Sequence, residues 1–186
     1  MPEKFQNKYR IPSARLQNWD YGANGAYFIT ICTKEMKHFF GEIGNEKMNL
    51  NAVGALAEEY WVEIIKHFPY VELGNFQIMP NHMHGILIIN KSGEFVETQL
   101  IESLQPHQEI GGFAGENNPM LSENISRIIR WYKGRCTFEM RKINESFEWH
   151  SRFHDHIIRN SDSFERIQNY IEENPSKWED DKFFKK

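Results

Sequence analysis

The spacing of apolar residues divides the chain into strand-like and helix-like segments. The strand-like segments mix β-branched and aromatic residues and are bounded by Gly, Asn or Pro, which is the pattern of strands and hairpins. They are GAYFITICTKEM at 25–36, FFGEIGNEKMNLN at 39–51 and YVELGNFQIMPNHMHGILIIN at 70–90, which holds two strands. A further stretch, FEWHSRFHDHIIRN at 147–160, is extended or irregular and is predicted to return to the sheet.

Three other segments repeat their apolar residues at intervals of three and four, which predicts amphipathic helices over 51–69, 121–144 and 161–178. Side chains able to accept hydrogen bonds from a first helical turn stand at the start of each. The candidate caps are Asn51 for the first helix, Ser122 or Asn124 for the second, and Ser161 or Ser163 for the third. Pro69 ends the first segment as a stop, and Pro175 prevents ordinary continuation of the third helix through the following turn.

Strands and helices interleave, with hairpins between some of the strands, so the predicted class is α+β. We expect a mostly antiparallel sheet with helices packed on one face, and a ferredoxin-like βαββαβ core is the nearest standard arrangement. Residues 1–186 are predicted to form one domain. Residues 91–120 lack periodicity and contain four glycines, which predicts a long variable loop.

Composition excludes several classes of protein. Apolar residues make up 40% of the chain and include 14 Phe and 5 Trp, enough for a sizeable core. No run approaches the roughly 18 apolar residues of a membrane span, and the polar N-terminus has no signal-peptide core. Two distant cysteines fit neither a disulfide framework nor a zinc motif, so we expect a cytoplasmic protein without a membrane partner.

Charge is distributed unevenly along the chain. The net charge is −4, yet residues 125–160 carry eight Lys and Arg against four acids. Such a zone can be a solvated helix face, or it can bind phosphates.

The segment MPNHMHGI contains the candidate chemistry. Residues i and i+2 of a strand point to the same face, so His82 and His84 project side by side. Two such imidazoles can pack or hydrogen-bond at a sheet edge, or they can hold one metal ion from adjacent positions. Gly85 follows directly and leaves room for another group.

The third helix adds Tyr170 and Asn174, which lie four residues apart and therefore on one helical face. Each can be an ordinary helix residue: a half-buried aromatic, and a polar residue before proline. If they face the two imidazoles, the amide oxygen completes a site for Mg²⁺ or Mn²⁺, while imidazoles also admit Zn²⁺, Co²⁺ or Ni²⁺. A tyrosine beside such an ion can act as a nucleophile.

These motifs resemble a known family. MPNHMHGI is similar to the His-hydrophobic-His motif of the HUH single-tyrosine transposases, and QNYIEENP resembles the signature of their REP-associated tyrosine transposase-like group. The likeness continues through RIPSARLQNWDYGANGAYFITICT, FFGEI, IIRWYKGRCT and WHSRFHDHIIRNSDSFERIQNYIEENPSKW, in the order of the family. The third ligand is often Gln in the insertion-sequence branch, whereas Asn fits the REP-associated branch.

The resemblance implies a single-strand DNA endonuclease and strand transferase that acts on hairpin-bearing DNA in transposition, in the cytoplasm and at the nucleoid. It implies Tyr170 as the nucleophile, which would form a 5′-phosphotyrosine link, and His82, His84 and Asn174 as ligands of Mg²⁺ or Mn²⁺. The chain would act as a monomer, or as a homodimer that exchanges helices.

Basic and aromatic residues in the second helix, at 125–135, and in the segment WHSRFHDHIIR are candidates for phosphate contacts and base stacking. They are Arg127, Arg130, Lys133, Arg135, Trp149, Arg152, His154 and Arg159. Tyr132 is a weaker alternative nucleophile, because no amide stands at the matching offset. Two other functions stay open: a domesticated relative that binds hairpins without cutting, and a metal phosphodiesterase that uses water.

Overall fold

The structure is a computed structural model that describes residues 19–91 and 122–184, together with two short strands near the N-terminus, β1 (Lys4–Phe5) and β2 (Lys8–Tyr9). The variable loop predicted at 91–120 lies, apart from its first residue, outside the described residues. The further strands are β3 (Gly25–Cys32), β4 (Gly41–Gly44), β5 (Lys47–Leu50), β6 (Val71–Ile78), β7 (His82–Ile89) and β8 (His154–Ile158). The helices are α1 (Ala52–His67), α2 (Ile125–Ile143) and α3 (Ser161–Glu173).

A four-stranded antiparallel sheet forms the centre of the fold, in the order β6-β7-β3-β8. β4 and β5 make a separate hairpin between β3 and α1. From β3 to β8, and without that hairpin, the chain order is strand, helix, strand, strand, helix, strand, as in a βαββαβ unit, and α3 follows it. The predicted α+β class and ferredoxin-like arrangement are therefore confirmed.

Asparagine side chains cap all three helices. Asn51 accepts from the amides of Val53 and Gly54, and Asn124 accepts from that of Arg127, as two of the predicted caps require. The cap of α3 was predicted one to three residues too late: Asn160 performs it. No helix within the described parts of the chain combines the length and apolar character needed to cross a membrane.

The helices lie on both faces of the sheet, which corrects the expectation that they share one. In β3, Tyr27, Ile29 and Ile31 belong to the main core, with α1 and α2. The alternate residues Ala26 and Phe28 belong to a second cluster, with α3. Because both faces are covered, the central strands are unbroken apolar runs in the sequence. Such runs do not show which face of the sheet each residue occupies.

Gly85 serves the main core. A Cβ at this position would lie 2.4 Å from Cζ2 of Trp61, an α1 residue with no exposed surface. The glycine therefore makes room for an indole on the face opposite the histidines, since residues of β7 alternate between faces.

Candidate active site

His82 and His84 project from β7 toward the α3 face of the sheet. Their side chains are buried, and their Nε2 atoms lie 3.1 Å apart. The register places Cys32 and Thr30 of β3 beside them on that face. The two rings lie side by side because side chains alternate between the faces of a strand. Their burial is due to other parts of the chain that pack over them.

Each imidazole is oriented by a hydrogen bond at its other nitrogen. Nδ1 of His82 donates to Oδ1 of Asn81 at 2.8 Å, because the amide nitrogen of Asn81 already donates to backbone carbonyls. This leaves Nε2 of His82 with a free lone pair. Oγ1 of Thr30 lies 2.9 Å from Nδ1 of His84. A hydroxyl can accept from that nitrogen, so both Nε2 atoms can serve as metal ligands.

Burial keeps the two rings neutral. It lowers the pKa of His82 to about 4 against the partly opposing charge of Asp181. It also lowers the pKa of His84 well below its ordinary value, and the neighbouring His82 adds to that effect. At neutral pH both imidazoles therefore have a lone pair available without the loss of a proton.

α3 brings Tyr170 to the two histidines. Ile167 and Ile171 pack into the second cluster with Ile86 of β7, which fixes the rotation of the helix. The phenol oxygen of Tyr170 then lies 3.2 Å from Nε2 of His84, and Tyr170 as a residue is 38% exposed. The hydroxyl therefore reaches the imidazoles, while part of the residue stays open to solvent.

Asn174, one turn later, is buried beside the same groups. Its amide nitrogen donates to Oδ2 of Asp181 at 2.7 Å, and its carboxamide favours the protonated form of His82. Its Oδ1 is buried, and no donor among the described residues forms a hydrogen bond to it. A buried amide oxygen without a donor is available to coordinate a cation.

Residues 174–184, which follow α3, cover the histidines. The sequence did not predict this contact. Trp178 and Phe183 pack against His82, with ring centroids 5.9 and 4.6 Å from it. Oδ2 of Asp181 accepts from the hydroxyl of Tyr170 at 3.3 Å. Burial, with a contribution from Asp181, raises the pKa of Tyr170 to about 12, so the phenol keeps its proton at neutral pH.

His82, His84 and Asp181 form a group whose ligand atoms all lie within 4.8 Å of one another, as a metal site requires. Two neutral imidazoles, a carboxylate and the undonated oxygen of Asn174 form a mixed nitrogen and oxygen set. Such a set fits a divalent cation. All these side chains come from one chain.

The basic candidates lie mostly on α2 and beside it, in two adjoining pockets that share Arg130. Arg130, Lys133 and Trp149 line a groove between α2 and residues 148–153, which Arg141 and Phe153 also line. This groove lies on the side of the sheet opposite the histidines, but His150, which also lines it, donates its backbone N–H to the carbonyl of Cys32, at the end of β3, at 2.8 Å. The groove and the histidine site therefore approach the same end of that strand.

Two further candidates line the adjoining pocket with Arg130, and the other three lie elsewhere. Arg127 and Arg135 lie on the outer face of α2, where Arg135 pairs with Glu139 at 3.5 Å. Arg152 is exposed near the groove. Thr30 of β3 lies between His84 of β7 and His154 of β8 in the sheet. His154 is exposed beside the site. Arg159 follows the opposite end of β8 and lies away from the histidines.

The alternative nucleophile, Tyr132, is buried in the main core, where its hydroxyl donates to the carbonyl of Ala57 at 3.0 Å. Sequence reasoning missed Asn81, Thr30 and Asp181. Asn81 directly precedes the first histidine, which was a usable signal. Thr30 and Asp181 had none, because their approach to the site depends on strand register and on the path of the chain after α3.

Comparison with known proteins supports the fold. No established family model matches the chain. An uncharacterised protein of Haemophilus influenzae is 36% identical over 173 residues, 92% of either chain. A solved REP-associated tyrosine transposase bound to a REP hairpin has a TM-score of 0.56 at 17% identity, covering 90% of this chain and 74% of that one. A candidate transposase of Deinococcus radiodurans has a TM-score of 0.42 at 13% identity, covering 88% of this chain and 95% of that one. The first of these structures confirms the fold that the sequence resemblance implied.

Proposed function

This chain belongs to one family with the Haemophilus influenzae protein and has the fold of a REP-associated tyrosine transposase, and from that premise we propose that it cleaves and rejoins single-stranded DNA through a tyrosine nucleophile. The proposed substrate is DNA that carries a hairpin, and the proposed setting is transposition in the cytoplasm, at the nucleoid. The whole chain acts as one domain, and the site is assembled within one subunit.

One observation carries the proposal. The phenol oxygen of Tyr170 lies 3.2 Å from Nε2 of His84, and that nitrogen lies 3.1 Å from Nε2 of His82. A hydroxyl on a partly exposed tyrosine, next to two neutral rings that can bind a metal ion, is suited to attack on a phosphate ester. A packing role for Tyr170 would not require this position.

The proposed reaction is a transesterification. The oxygen of Tyr170 forms a bond to the scissile phosphorus, and the bond from phosphorus to the 3′-oxygen of the preceding nucleotide breaks. The phenol loses its proton and the leaving 3′-oxygen gains one. The products are a 5′-phosphotyrosine link and a free 3′-hydroxyl. A later 3′-hydroxyl can reverse the step without ATP, because the ester bond energy is retained.

His82, His84 and Asn174 are the proposed ligands of Mg²⁺ or Mn²⁺. When bound, the ion supplies electrostatic stabilisation of the charge that develops on the phosphate oxygens. The protein contributes preorganisation: Asn81 and Thr30 hold the rings so that their Nε2 atoms face the site. Burial keeps the histidines deprotonated.

The proposed path of DNA follows the basic groove. We propose that Arg130 contacts a phosphate and that Lys133, whose ammonium donates to the carbonyl of His150 at 2.6 Å, adds positive charge beside it. Trp149 is half-buried against Tyr132 and Phe147, and the part of it that lines the groove is proposed to contact an unpaired base. His154 is exposed beside His84 and is proposed to contact the strand near the cleaved phosphate. The other basic candidates are proposed to add to the electrostatic attraction without touching this part of the strand.

A labelled hairpin oligonucleotide with single-stranded flanks, incubated with Mn²⁺, tests the proposal. We expect a covalent protein–DNA adduct, with mass spectrometry locating the link at Tyr170. Tyr170→Phe should form no adduct and cleave nothing. Tyr70→Phe is the matched control, because its buried hydroxyl has no hydrogen-bond partner among the described residues.

The two alternative functions give different results in the same assay. A domesticated binder would shift the hairpin in a gel without cutting it. A phosphodiesterase that activates water would cut without an adduct and would survive Tyr170→Phe. Either outcome would refute the tyrosine mechanism.

A further inference from the structure

We propose that Asp181 is a fourth protein ligand of the metal ion, a role that deepens the proposed function and rests on the metal site of His82 and His84. Asp181 lies outside both sequence motifs, in the segment that follows α3. A carboxylate oxygen of this residue lies within 4.8 Å of a nitrogen of each histidine. One ion between these three groups would be close to all of them.

A second, independent observation points to a ligand in the same place. The side chain of Asn174 is 2% exposed, and its Oδ1 accepts no satisfactory hydrogen bond from the described residues. Its other amide atom is tied to Oδ2 of Asp181 at 2.7 Å. The carboxamide is therefore held between the acid and the histidines with its acceptor unused, and a cation would supply the missing partner.

The position of Asp181 is held by specific contacts. Its Oδ1 accepts from the amide of Phe183 at 2.7 Å, and the carbonyl of Phe183 accepts from the side chain of Asn81 at 2.8 Å. Asn81 also orients His82. One asparagine therefore fixes a histidine and the segment that carries the acid, so these two groups are positioned together.

Charge gives the carboxylate a physical purpose. Two neutral imidazoles and an amide contribute no negative charge, so they stabilise a dication only through dipoles. A carboxylate at this distance adds a direct attraction, and it is an oxygen ligand of the kind that Mn²⁺ and Mg²⁺ prefer. We therefore expect Asp181 to strengthen binding of these ions more than binding of Zn²⁺, which imidazoles already satisfy.

Direct binding measurements on the full chain test this role without any DNA. Mn²⁺ is titrated into wild type, Asp181→Asn, Asp180→Asn and His84→Ala, with calorimetry and the electron paramagnetic resonance signal of free Mn²⁺ as readouts. Asp181→Asn should weaken Mn²⁺ binding by roughly tenfold or more. Asp180→Asn, which alters the exposed neighbouring acid, should bind like wild type.

The outcomes separate this inference from the proposed function. If His84→Ala loses Mn²⁺ and Asp181→Asn binds it like wild type, the metal site stands and the role of Asp181 is refuted. If wild type binds no Mn²⁺, both are refuted. Thermal unfolding of each variant without metal checks that the fold is intact. Asp181→Glu, if it restores part of the affinity that Asp181→Asn loses, supports coordination over a structural role.

Discussion

Replacement of Asn81 by alanine is the most informative test of how the site is organised. The side chain has no exposed surface and makes three hydrogen bonds, to Nδ1 of His82 and to the carbonyls of Met36 and Phe183. Its backbone carbonyl accepts two bonds from Thr33, which alanine preserves. The change therefore removes side-chain contacts and leaves the strand connection in place.

The expected loss of stability follows from those three bonds. A buried hydrogen bond contributes about 1 kcal/mol net, so their removal costs about 3 kcal/mol. The nitrogen of His82 is left buried without an acceptor, whereas the two carbonyls lie nearer the surface and can bind water. The loss of the hydrogen bond that orients a ligand should also weaken metal binding roughly 10- to 100-fold.

Urea unfolding without metal measures the first effect, and Mn²⁺ titration measures the second. Asn144→Ala is the control, because it removes bonds to Ser146 at the end of α2, remote from the histidines. It should cost about 1 kcal/mol and leave Mn²⁺ affinity unchanged. If Asn81→Ala binds Mn²⁺ as tightly as wild type, the orienting role of this asparagine is wrong.

Two further predictions concern the core. Gly85→Ala should lower the free energy of unfolding in urea by about 1–3 kcal/mol, because its Cβ would collide with the ring of Trp61. Gly134→Ala is the control and should raise that free energy by up to about 1 kcal/mol, since open space surrounds this helical residue. Equal effects of the two changes would contradict this packing. Burial raises the pKa of Tyr27 to about 12. Between pH 10 and 12 the unfolded chain therefore gives up a proton that the folded chain keeps, and the free energy of unfolding falls by about 3 kcal/mol as pH rises. Tyr27→Phe should lose that part of the alkaline slope, as urea unfolding at each pH would measure; an unchanged slope would assign it to other groups.

The closeness of the site groups has a functional consequence. In the proposed enzyme, Tyr170 must approach a phosphate that also reaches the ion. Its hydroxyl now donates to Asp181 and lies beside His84. Under the proposed role of Asp181, a bound ion would leave its carboxylate less able to accept from the phenol, which would couple metal binding to release of the proposed nucleophile.

Local sequence determined the elements and the pairings within each of them. Every predicted strand and helix of the sheet and its covering layers is present, because apolar periodicity and caps such as Asn51 act over a few residues. The alternation of β7 places His82 and His84 on one face, and the helical repeat places Tyr170 and Asn174 on one side of α3. These relations follow from backbone geometry alone.

Tertiary structure decided where those pairs go. The face that α3 covers depends on Ile167 and Ile171 packing against strands far away in sequence, and no local pattern encodes that choice. The contact of Thr30 with His84 depends on strand register, and the approach of Asp181 depends on Asn81 holding Phe183. Contacts of this kind join residues that are many positions apart, so short-range preferences leave them undetermined and only the packed chain selects them.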